Sequence, residues 1–553
     1  MTAVLAPSPP AHARAAPLAT SHNIAREALT WAPLALILAA QALLTMRLST
    51  GAFASGDEGR YIYAGHQLIY ELWHGGGSPY YETFFSGAPV IYPVLAAMAD
   101  HIGGLVAVRL MSLVFMMTAT TTLFLTTRRL FGYLPAVVAS TIFAGIGLTQ
   151  GLGALATYDA MAIMLVTIAA YCAVRTGDAE KHAAAWLLSV PLMLLLANAT
   201  KYVTVMFDPV VITLAAVQVS AAGWRRALKR IMALGLATSA LLVLMLFLGG
   251  SAYLNGVLFS TLARSGGASP VFVGTVLSDK KIISESWTWI GLPVAASAAA
   301  VLLTALRRSW KDCVYSAQFF LAGCLVTIGN LRLHTDESMY KHDDLAAWFA
   351  CIGAGSAVAV LSREGNRFTK GAVAIIAIAG AVLSGVHYSQ TAASTYQAGG
   401  NDTTLLVAAT LRPYLEKPNG RYLIGGLANE QTIYLDHVRV PWFLLYDDLY
   451  IKYPIPGRGG DSHGQTRGFT CFQLRPHCMY LEGIVGYQAA IRAHWFALIS
   501  MWGDHNTAQD TEIAQAVEHT PGYELLTKVG GAPTWIYAPA YKGSIVNSPN
   551  TAR

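Results

Sequence analysis

Long apolar stretches, separated by short polar connections, cover residues 31–388 of the 553-residue chain. An α-helix needs about 20 mostly apolar residues to cross the hydrocarbon core of a bilayer, and stretches of roughly this length recur throughout the region. The pattern predicts an all-α polytopic membrane domain with about eleven transmembrane helices. Their predicted positions are residues 31–48, 103–126, 134–153, 158–175, 184–199, 203–220, 231–250, 287–306, 313–330, 345–361 and 372–388.

Residues 1–30, before the first predicted span, are rich in Ala, Pro and Ser, a composition typical of a disordered tail. The first span follows Arg14 and Arg26 and precedes Ala52-Phe53-Ala54, which imitates a signal-peptidase site. A cleaved signal peptide is one interpretation. We prefer a signal anchor that stays in the membrane, with the tail in the cytoplasm.

After residue 388 the pattern changes to that of a soluble domain, with regular charges, prolines and turn residues. Helical patterns alternate there with strand-like runs, which favours an α/β layer. Residues 389–553 are therefore predicted to form a C-terminal α/β soluble domain. Its predicted helices are residues 403–415, 486–493 and 510–518, and its predicted strands are residues 421–426, 496–500, 523–529 and 534–537.

Composition agrees with this division, and the basic residues add an orientation. Only 12% of the residues are charged, against about 25% in soluble domains. Lysines and arginines concentrate in alternate short loops, which are cytoplasmic under the positive-inside rule. The N-terminus then faces the cytoplasm, and the first long loop and the C-terminal domain are extracytoplasmic. The same bias accounts for the net charge of +6, so no nucleic-acid partner is expected. The basic loops carry Arg128, Arg129, Arg175, Lys181, Arg225, Arg226, Lys229, Arg230, Arg307, Arg308, Lys311, Arg363, Arg367 and Lys370.

Unusual polar residues lie in the opposite set of loops. Asp159 opens the fourth span, Lys201 lies between the fifth and sixth spans, and residues 331–344 are dense in His, acidic and Lys residues. Ionisable groups near lipid are costly and mark functional sites. Because these loops share one membrane face, we predict that they form one site. The first long loop contributes Asp57-Glu58-Gly59-Arg60-Tyr61.

Carboxylates and isolated cations at one face suit a reaction between an anionic, lipid-anchored donor and a hydroxyl acceptor. A carboxylate accepts the hydroxyl proton as general base. Cations hold a phosphate and stabilise the charge that grows as the phosphate departs. The candidate cations are Arg60, Lys201 and one of Lys341, His334 and His342.

These motifs, in this order and on this face, resemble the C-type glycosyltransferases (GT-C superfamily), particularly the branch of aminoarabinose transferases and protein O-mannosyltransferases. The resemblance covers roughly residues 31–250. It implies a GT-C fold with two amphipathic helices along the outer interface, at residues 59–74 and 89–101. The motifs are Asp57-Glu58-x-Arg60-Tyr61, Phe84-Phe85 with Pro89, Arg109, Ala156-Thr157-Tyr158-Asp159 and Ala199-Thr200-Lys201-Tyr202.

The resemblance also implies an activity, a hexosyl- or pentosyltransferase that moves a sugar from a polyprenyl-phosphate donor to an acceptor hydroxyl at the outer face of the cell membrane. The acceptor is a glycan, a lipid or a protein, three alternatives that stay open. The implied catalytic residues are Asp57, Glu58 and Asp159, and the implied donor-phosphate ligands are Arg60, Tyr61, Lys201, Tyr340 and Lys341.

One motif departs from the family pattern. The aminoarabinose branch has Glu-Lys-Pro before the second span, where this chain has Ser86-Gly87-Ala88-Pro89. The resemblance therefore does not identify the sugar.

Two other functions are alternatives. A transporter or flippase of lipid-linked sugars typically has charges at the bilayer midplane and inverted repeats, whereas these spans are nearly free of charge and show no convincing repeat. A non-catalytic scaffold leaves the shared face of Asp57, Asp159 and Lys201 unexplained.

Two further interpretations concern cofactors and cysteines. His334, Asp336, His342 and Asp343 are candidate ligands of a divalent cation, although a solvated polar loop is the preferred interpretation, and no other cofactor is indicated. Cys471 and Cys478 lie in the domain assigned to the oxidising side of the membrane, so we predict a disulfide between them. Complete alkylation of both thiols without reductant would exclude it.

Overall fold

The computed structural model describes residues 21–49, 54, 56–75, 85–177, 183–220, 223–258, 278–334, 339–364, 367–399, 403–415, 420–425, 445–446, 451–455, 480–501, 507–529 and 532–541. Helices dominate its N-terminal part. They are α1 (Ser21–Leu48), α2 (Gly56–His74), α3 (Tyr92–Phe131), α4 (Tyr133–Gly145), α5 (Gly147–Ala154), α6 (Tyr158–Arg175), α7 (Ala183–Thr200), α8 (Asp208–Val217), α9 (Trp224–Leu258), α10 (Asp279–Leu306), α11 (Trp310–Leu333), α12 (Met339–Glu364) and α13 (Arg367–Gly399).

All eleven predicted apolar stretches are helical, but two do not form single full-length spans. Within the described residues, nine helices are long and apolar enough to cross a membrane, or ten if a bent pair counts as one span. The bent pair is α4 and α5, which meet at 61° because Ile146 between them is extended. The sixth stretch begins with a 3₁₀ turn at Tyr202–Phe207, which leaves α8 too short to span. Average hydropathy detects neither interruption, since both segments are apolar overall.

The segment between α1 and the membrane-spanning part of α3 contains the two helices that the resemblance implies. The first is α2, and the second is the initial segment of α3, residues 92–102. Gly103 and Gly104 then break the helix, and Gly104 has φ +65°, a left-handed conformation that favours glycine. The initial segment of α3, residues 92–102, exposes Leu95, Met98 and Ile102 along one side. Such an apolar stripe suits a helix that lies against lipid before the chain turns into the membrane.

The C-terminal part is an α/β domain in three layers. Its sheet has the order β2-β1-β5-β7-β6, in which β1 pairs in parallel with β2 and β5 and the remaining pairs are antiparallel. Helix α14 packs on one face, and α15 and α16 pack on the other. The predicted helices and strands are all present, which confirms the α/β prediction. The elements are α14 (Thr403–Leu415), α15 (Gly483–Arg492), α16 (Thr507–Glu518), α17 (Ala538–Tyr541), β1 (Tyr422–Ile424), β2 (Leu445–Tyr446), β5 (Leu498–Ser500), β6 (Tyr523–Val529), β7 (Ala532–Tyr537) and a separate hairpin-like pair, β3 (Lys452–Pro454) with β4 (Tyr480–Glu482).

Helix α2 belongs to both cores. Tyr61, Ile62 and Ala64 are buried in the core of the helical bundle. Tyr63, on the same helix, is buried in the cluster that α14 forms with the sheet. The helix that carries the Asp57 motif is therefore packed between the membrane domain and the C-terminal domain.

Candidate active site

Asp57 and Lys341 form an ion pair that joins the start of α2 to the start of α12. Asp57 is in the first turn of α2, and Lys341 is in the first turn of α12. The carboxylate is 44% exposed, whereas the lysine is only 8% exposed. The acidic member of this pair is thus the accessible one.

Asp159 and Lys201 form a second ion pair, and both side chains are buried. Asp159 is in the first turn of α6, and Lys201 is the extended residue between α7 and the 3₁₀ turn. The Lys201 ammonium also lies 5.1 Å from the centroid of the Tyr158 ring, a cation–π distance. Lys341 interacts electrostatically with Asp57 and with Asp159. The two ion pairs therefore belong to one site.

Aromatic rings pack beside these charges. Tyr61 contacts Phe85, Tyr92 and Tyr158, with ring centroids 5.0, 6.0 and 4.5 Å away. Burial raises the pKa of the Tyr61 phenol well above its ordinary value, and the negative charge of Asp57 adds to the effect. Tyr61 is therefore a neutral phenol at physiological pH, able to donate a hydrogen bond but not to act as an anion.

Glu58, next to Asp57, is held on both of its carboxylate oxygens. Arg109 of α3 donates from Nε to Oε1 at 2.8 Å and from Nη2 to Oε2 at 2.9 Å. The backbone N–H of Ala156 also donates to Oε1, at 2.8 Å. Glu58 and Arg109 are buried. This bidentate pair ties α2 to α3 and to the chain that leads into α6.

The Lys201 turn rests on the Ser86-Gly87-Ala88 segment. The Ala88 N–H donates to the Ala199 carbonyl, and the Tyr202 N–H donates to the Ser86 carbonyl. Gly87 lies so close that a Cβ there would be 1.9 Å from the Thr200 carbonyl oxygen. The segment that departs from the family pattern is therefore the backbone support of Lys201.

The substitution Gly87→Ala is expected to displace the Lys201 turn, because the new methyl group would overlap the Thr200 backbone. The expected loss of stability is about 1–3 kcal/mol, the usual cost of overpacking a well-packed site. Thermal inactivation of the purified protein in detergent measures it. Gly371→Ala is the matched control, since nothing lies within 4 Å of a Cβ at that glycine. An unchanged inactivation temperature in Gly87→Ala would show that the turn tolerates the shift.

Two comparisons with known proteins found similarities. Residues 88–248 match the family model of the dolichyl-phosphate-mannose-protein mannosyltransferases. No curated protein matches the chain by sequence. The fold is similar to that of ArnT from Cupriavidus metallidurans bound to undecaprenyl phosphate, with a TM-score of 0.59, 12% identity, and coverage of 92% of this chain and 98% of ArnT. The chain resembles the GT-C glycosyltransferases of the ArnT and mannosyltransferase branch.

A second GT-C-type likeness is to the oligosaccharyltransferase of Archaeoglobus fulgidus in complex with Zn and sulfate. Its TM-score is 0.47 at 11% identity, with coverage of 72% of this chain and 61% of that protein. The family match together with the ArnT fold supports a membrane glycosyltransferase. The apolar helices make the chain a multi-pass membrane protein.

Most of the residues proposed for a GT-C site come together. Asp57, Asp159, Lys201 and Lys341 form the two ion pairs, and Tyr61 packs beside them. Arg60 is buried on α2, and the partly exposed Tyr340 ring lies 5.6 Å from the Lys341 ammonium.

Two of the suggested metal ligands, His334 and His342, lie on different elements. His334 is exposed at the end of α11, with Nδ1 3.3 Å from the Asp279 carboxylate, whereas His342 is in the first turn of α12. In the part of the chain that the structure describes, no group of three or more His, Cys, Asp or Glu side chains is placed to hold a metal ion. Asp336, Cys471 and Cys478 lie outside the described residues, so the disulfide stays a prediction.

Several buried polar residues of the site were not assigned a role from the sequence. The sequence does indicate a buried ion pair at Arg109, because this is the only charged residue between residues 102 and 127 and a charge inside an apolar span needs a partner. Asn198 donates to Asp208 at 2.8 Å and accepts from Thr204 at 2.6 Å, which braces the Lys201 turn. These short polar side chains carry no distinctive pattern in the sequence.

Proposed function

We propose that this protein transfers a sugar from a polyprenyl-phosphate donor to an acceptor hydroxyl at the extracytoplasmic face of the cytoplasmic membrane. The observation that carries the proposal is the pair of carboxylate–lysine contacts, Asp57–Lys341 and Asp159–Lys201, at one end of a GT-C-like bundle. Undecaprenyl phosphate, the molecule in the similar ArnT structure, is a lipid of the proposed donor class.

Asp57 is the proposed general base, because it is the accessible carboxylate of the site. It accepts the acceptor hydroxyl proton while that oxygen attacks the anomeric carbon. The bond from the anomeric carbon to the phosphate oxygen breaks, and polyprenyl phosphate leaves with the bonding electron pair. The GT-C resemblance implies that this single displacement inverts the anomeric configuration.

Lys201 and Lys341 are the proposed partners of the departing phosphate. Phosphate charge grows as the bond breaks, so fixed cations stabilise the transition state more than the bound donor. Each lysine lies beside a carboxylate. An arriving phosphate would share these ammonium groups and leave Asp57 free to accept a proton.

The remaining proposed residues have supporting roles. Arg60, three residues after Asp57 on α2, and Tyr340, next to Lys341 on α12, are proposed to contact the phosphate oxygens. Tyr61 is proposed to donate a hydrogen bond or to pack against the donor. Glu58 is already engaged by Arg109 and the Ala156 N–H, so we propose that it positions α2 rather than reacting itself.

The extracytoplasmic location is inferred from the basic loops, which lie at the other end of the bundle. The C-terminal domain belongs to the same side as the site, because Tyr63 of α2 packs in its core. We propose that this domain covers the mouth of the site and helps to select the acceptor, which is a glycan, lipid or protein.

The proposal is tested by mixing the purified protein with radiolabelled polyprenyl-phosphate sugars and cell-envelope acceptors. Transfer of label to an acceptor is the expected result. Failure of the wild-type protein to bind or consume any donor would overturn the proposal. Movement of the labelled lipid across a vesicle membrane without transfer would favour a flippase instead.

Lys201→Gln and Lys341→Gln are each expected to weaken donor binding by about 1–3 kcal/mol, the range for hydrogen bonds to charged groups. The two binding constants are measured by titration with undecaprenyl phosphate. Lys280→Gln is the matched control, because Lys280 is an exposed lysine at the start of α10. Equal affinities in all three variants would remove both lysines from the phosphate site.

A further inference from the structure

Asp344, a buried carboxylate that the proposed mechanism does not use, lies one turn beyond Lys341 on α12. Residues three apart on a helix are neighbours on its surface. Asp344 is fully buried. Thr149 of α5 donates from Oγ1 to its Oδ1 at 2.7 Å, across 195 residues of sequence. Among the described residues, its other oxygen, Oδ2, has no hydrogen-bond partner.

A buried carboxylate with a single hydrogen bond lowers the free energy of unfolding. A buried polar group costs free energy unless it is fully hydrogen-bonded, and an apolar residue of similar size would pack there more cheaply. Residues that break this rule are concentrated at functional sites. The single bond of Asp344 therefore suggests a role in the site rather than in packing.

The Thr149–Asp344 bond completes a ring of polar contacts around the site. Lys341 of α12 pairs with Asp57 of α2. Glu58, the next residue of α2, accepts from the N–H of Ala156 at 2.8 Å. Ala156 follows α5, and the same short stretch of chain leads into Asp159 of α6. We call these three links, α12 to α2, α2 to the α5–α6 connection and α5 to α12, the polar ring.

Each member of the polar ring carries a group of the proposed mechanism. Helix α2 carries Asp57, α6 carries Asp159 directly after the α5–α6 connection, and α12 carries Lys341. Asp343, the neighbour of Asp344, contacts a different element, since Ser286 of α10 donates to it at 2.9 Å. Asp344, in contrast, links α12 to α5, the helix that leads into the chain that presents Asp159.

We propose that Asp344 is a positioning residue of the donor-phosphate site, which through Thr149 fixes Lys341 at its distance from Asp159. The inference rests on the proposed function, because it assigns Lys341 to the donor phosphate. Loss of the Thr149 bond loosens the first turn of α12 and misplaces the Lys341 ammonium. Donor affinity falls although neither Thr149 nor Asp344 touches the donor.

The test is a double-mutant cycle between Thr149→Val and Lys341→Gln, read by binding of undecaprenyl phosphate to the full-length protein in detergent. Thr149→Val keeps the shape of the side chain and removes the hydroxyl. It is expected to weaken binding by about tenfold in the wild-type background, the scale of one hydrogen bond to a charged group. In the Lys341→Gln background the same change is expected to have no further effect, since coupled residues are non-additive.

Matched variants separate positioning from general packing. Thr149→Ser restores the hydroxyl and should restore binding. Ser389→Ala removes another buried hydroxyl bond to α5, the one that Ser389 donates to Gln150. This control should leave binding unchanged even if it lowers the melting temperature. If Thr149→Val does not yield folded protein, Asp344→Ala enters the same cycle.

The outcomes distinguish this inference from the proposed function. Suppose that the wild-type protein binds undecaprenyl phosphate. If Thr149→Val then binds it with the same affinity, or loses the same amount of affinity in the wild-type and Lys341→Gln backgrounds, the positioning role is overturned and the proposed function stays intact. A wild-type protein that does not bind undecaprenyl phosphate would overturn the proposed function and this inference with it.

Discussion

Asp57→Asn is expected to reduce sugar transfer by about a thousandfold, within the range of 10²–10⁴ that a general base contributes. The amide has the same shape as the carboxylate but accepts a proton far less readily, so the attacking hydroxyl keeps its proton. Donor binding should persist, because Lys341 loses its carboxylate partner and stays available to the phosphate. Single-turnover transfer of a radiolabelled sugar, beside a titration with undecaprenyl phosphate, measures both effects.

The matched control for Asp57→Asn is the same chemical change in another ion pair. Asp312 pairs with Arg363, a residue of one of the basic loops, with Oδ2 and Nη1 2.5 Å apart. Exposed pairs contribute about 0–1 kcal/mol, so Asp312→Asn should leave transfer almost unchanged. Residual transfer above about a tenth in Asp57→Asn, far more than loss of a general base permits, would assign the base to another group.

The sequence predicted which residues come together in the site, but it did not predict which of them form ion pairs with each other. Asp57, Asp159, Lys201 and Lys341 were placed on one face by counting spans and following the basic loops. Which carboxylate faces which lysine depends on the packing of α2, α6 and α12. Only the three-dimensional structure provides that information, since the members of each pair are 284 and 42 residues apart.

The number of full spans was harder to predict for a physical reason. Average hydropathy reports whether a segment is apolar, and the segments around Ile146 and Tyr202 are apolar overall. Their helices are interrupted by local backbone geometry, an extended residue in one and a 3₁₀ turn in the other. The 3₁₀ turn directly follows Lys201 of the site, and irregular backbone in membrane proteins is tolerated where it is buried in protein or lines a cavity.

The C-terminal domain shows the same division between local and long-range information. Three of its helices and four of its strands were predicted from local patterns, and β6 was predicted with the bounds that it has, Tyr523–Val529. The short strands β2, β3 and β4 were not predicted. The sheet order β2-β1-β5-β7-β6 depends on pairings between distant segments. The sequence also did not predict that Tyr63 is buried in that domain. An aromatic residue on a short helix is equally compatible with contact to lipid and with contact to protein.

Arg109→Met is expected to destabilise the protein strongly. It leaves Glu58 buried without its bidentate partner, and an uncompensated buried charge costs about 3–5 kcal/mol. The variant should inactivate at a markedly lower temperature, or accumulate poorly in the membrane. Thermal inactivation in detergent, followed by size-exclusion chromatography, measures the loss. A wild-type inactivation temperature would show that Glu58 has another partner of equal strength.

The double variant Glu58→Leu with Arg109→Met decides what the pair does. Removing both members of a buried ion pair is often tolerated, because no charge is left unpaired, so much of the lost stability should return. Sugar transfer should stay low, because the Ala156 N–H loses its acceptor. The segment that leads from Ala156 to Asp159 is then no longer hydrogen-bonded to α2. Recovery of stability and transfer together would mean that the pair is structural only.

Glu58→Gln tests whether Glu58 itself takes part in catalysis. If this variant keeps its stability but loses transfer as completely as Asp57→Asn, Glu58 is a catalytic carboxylate.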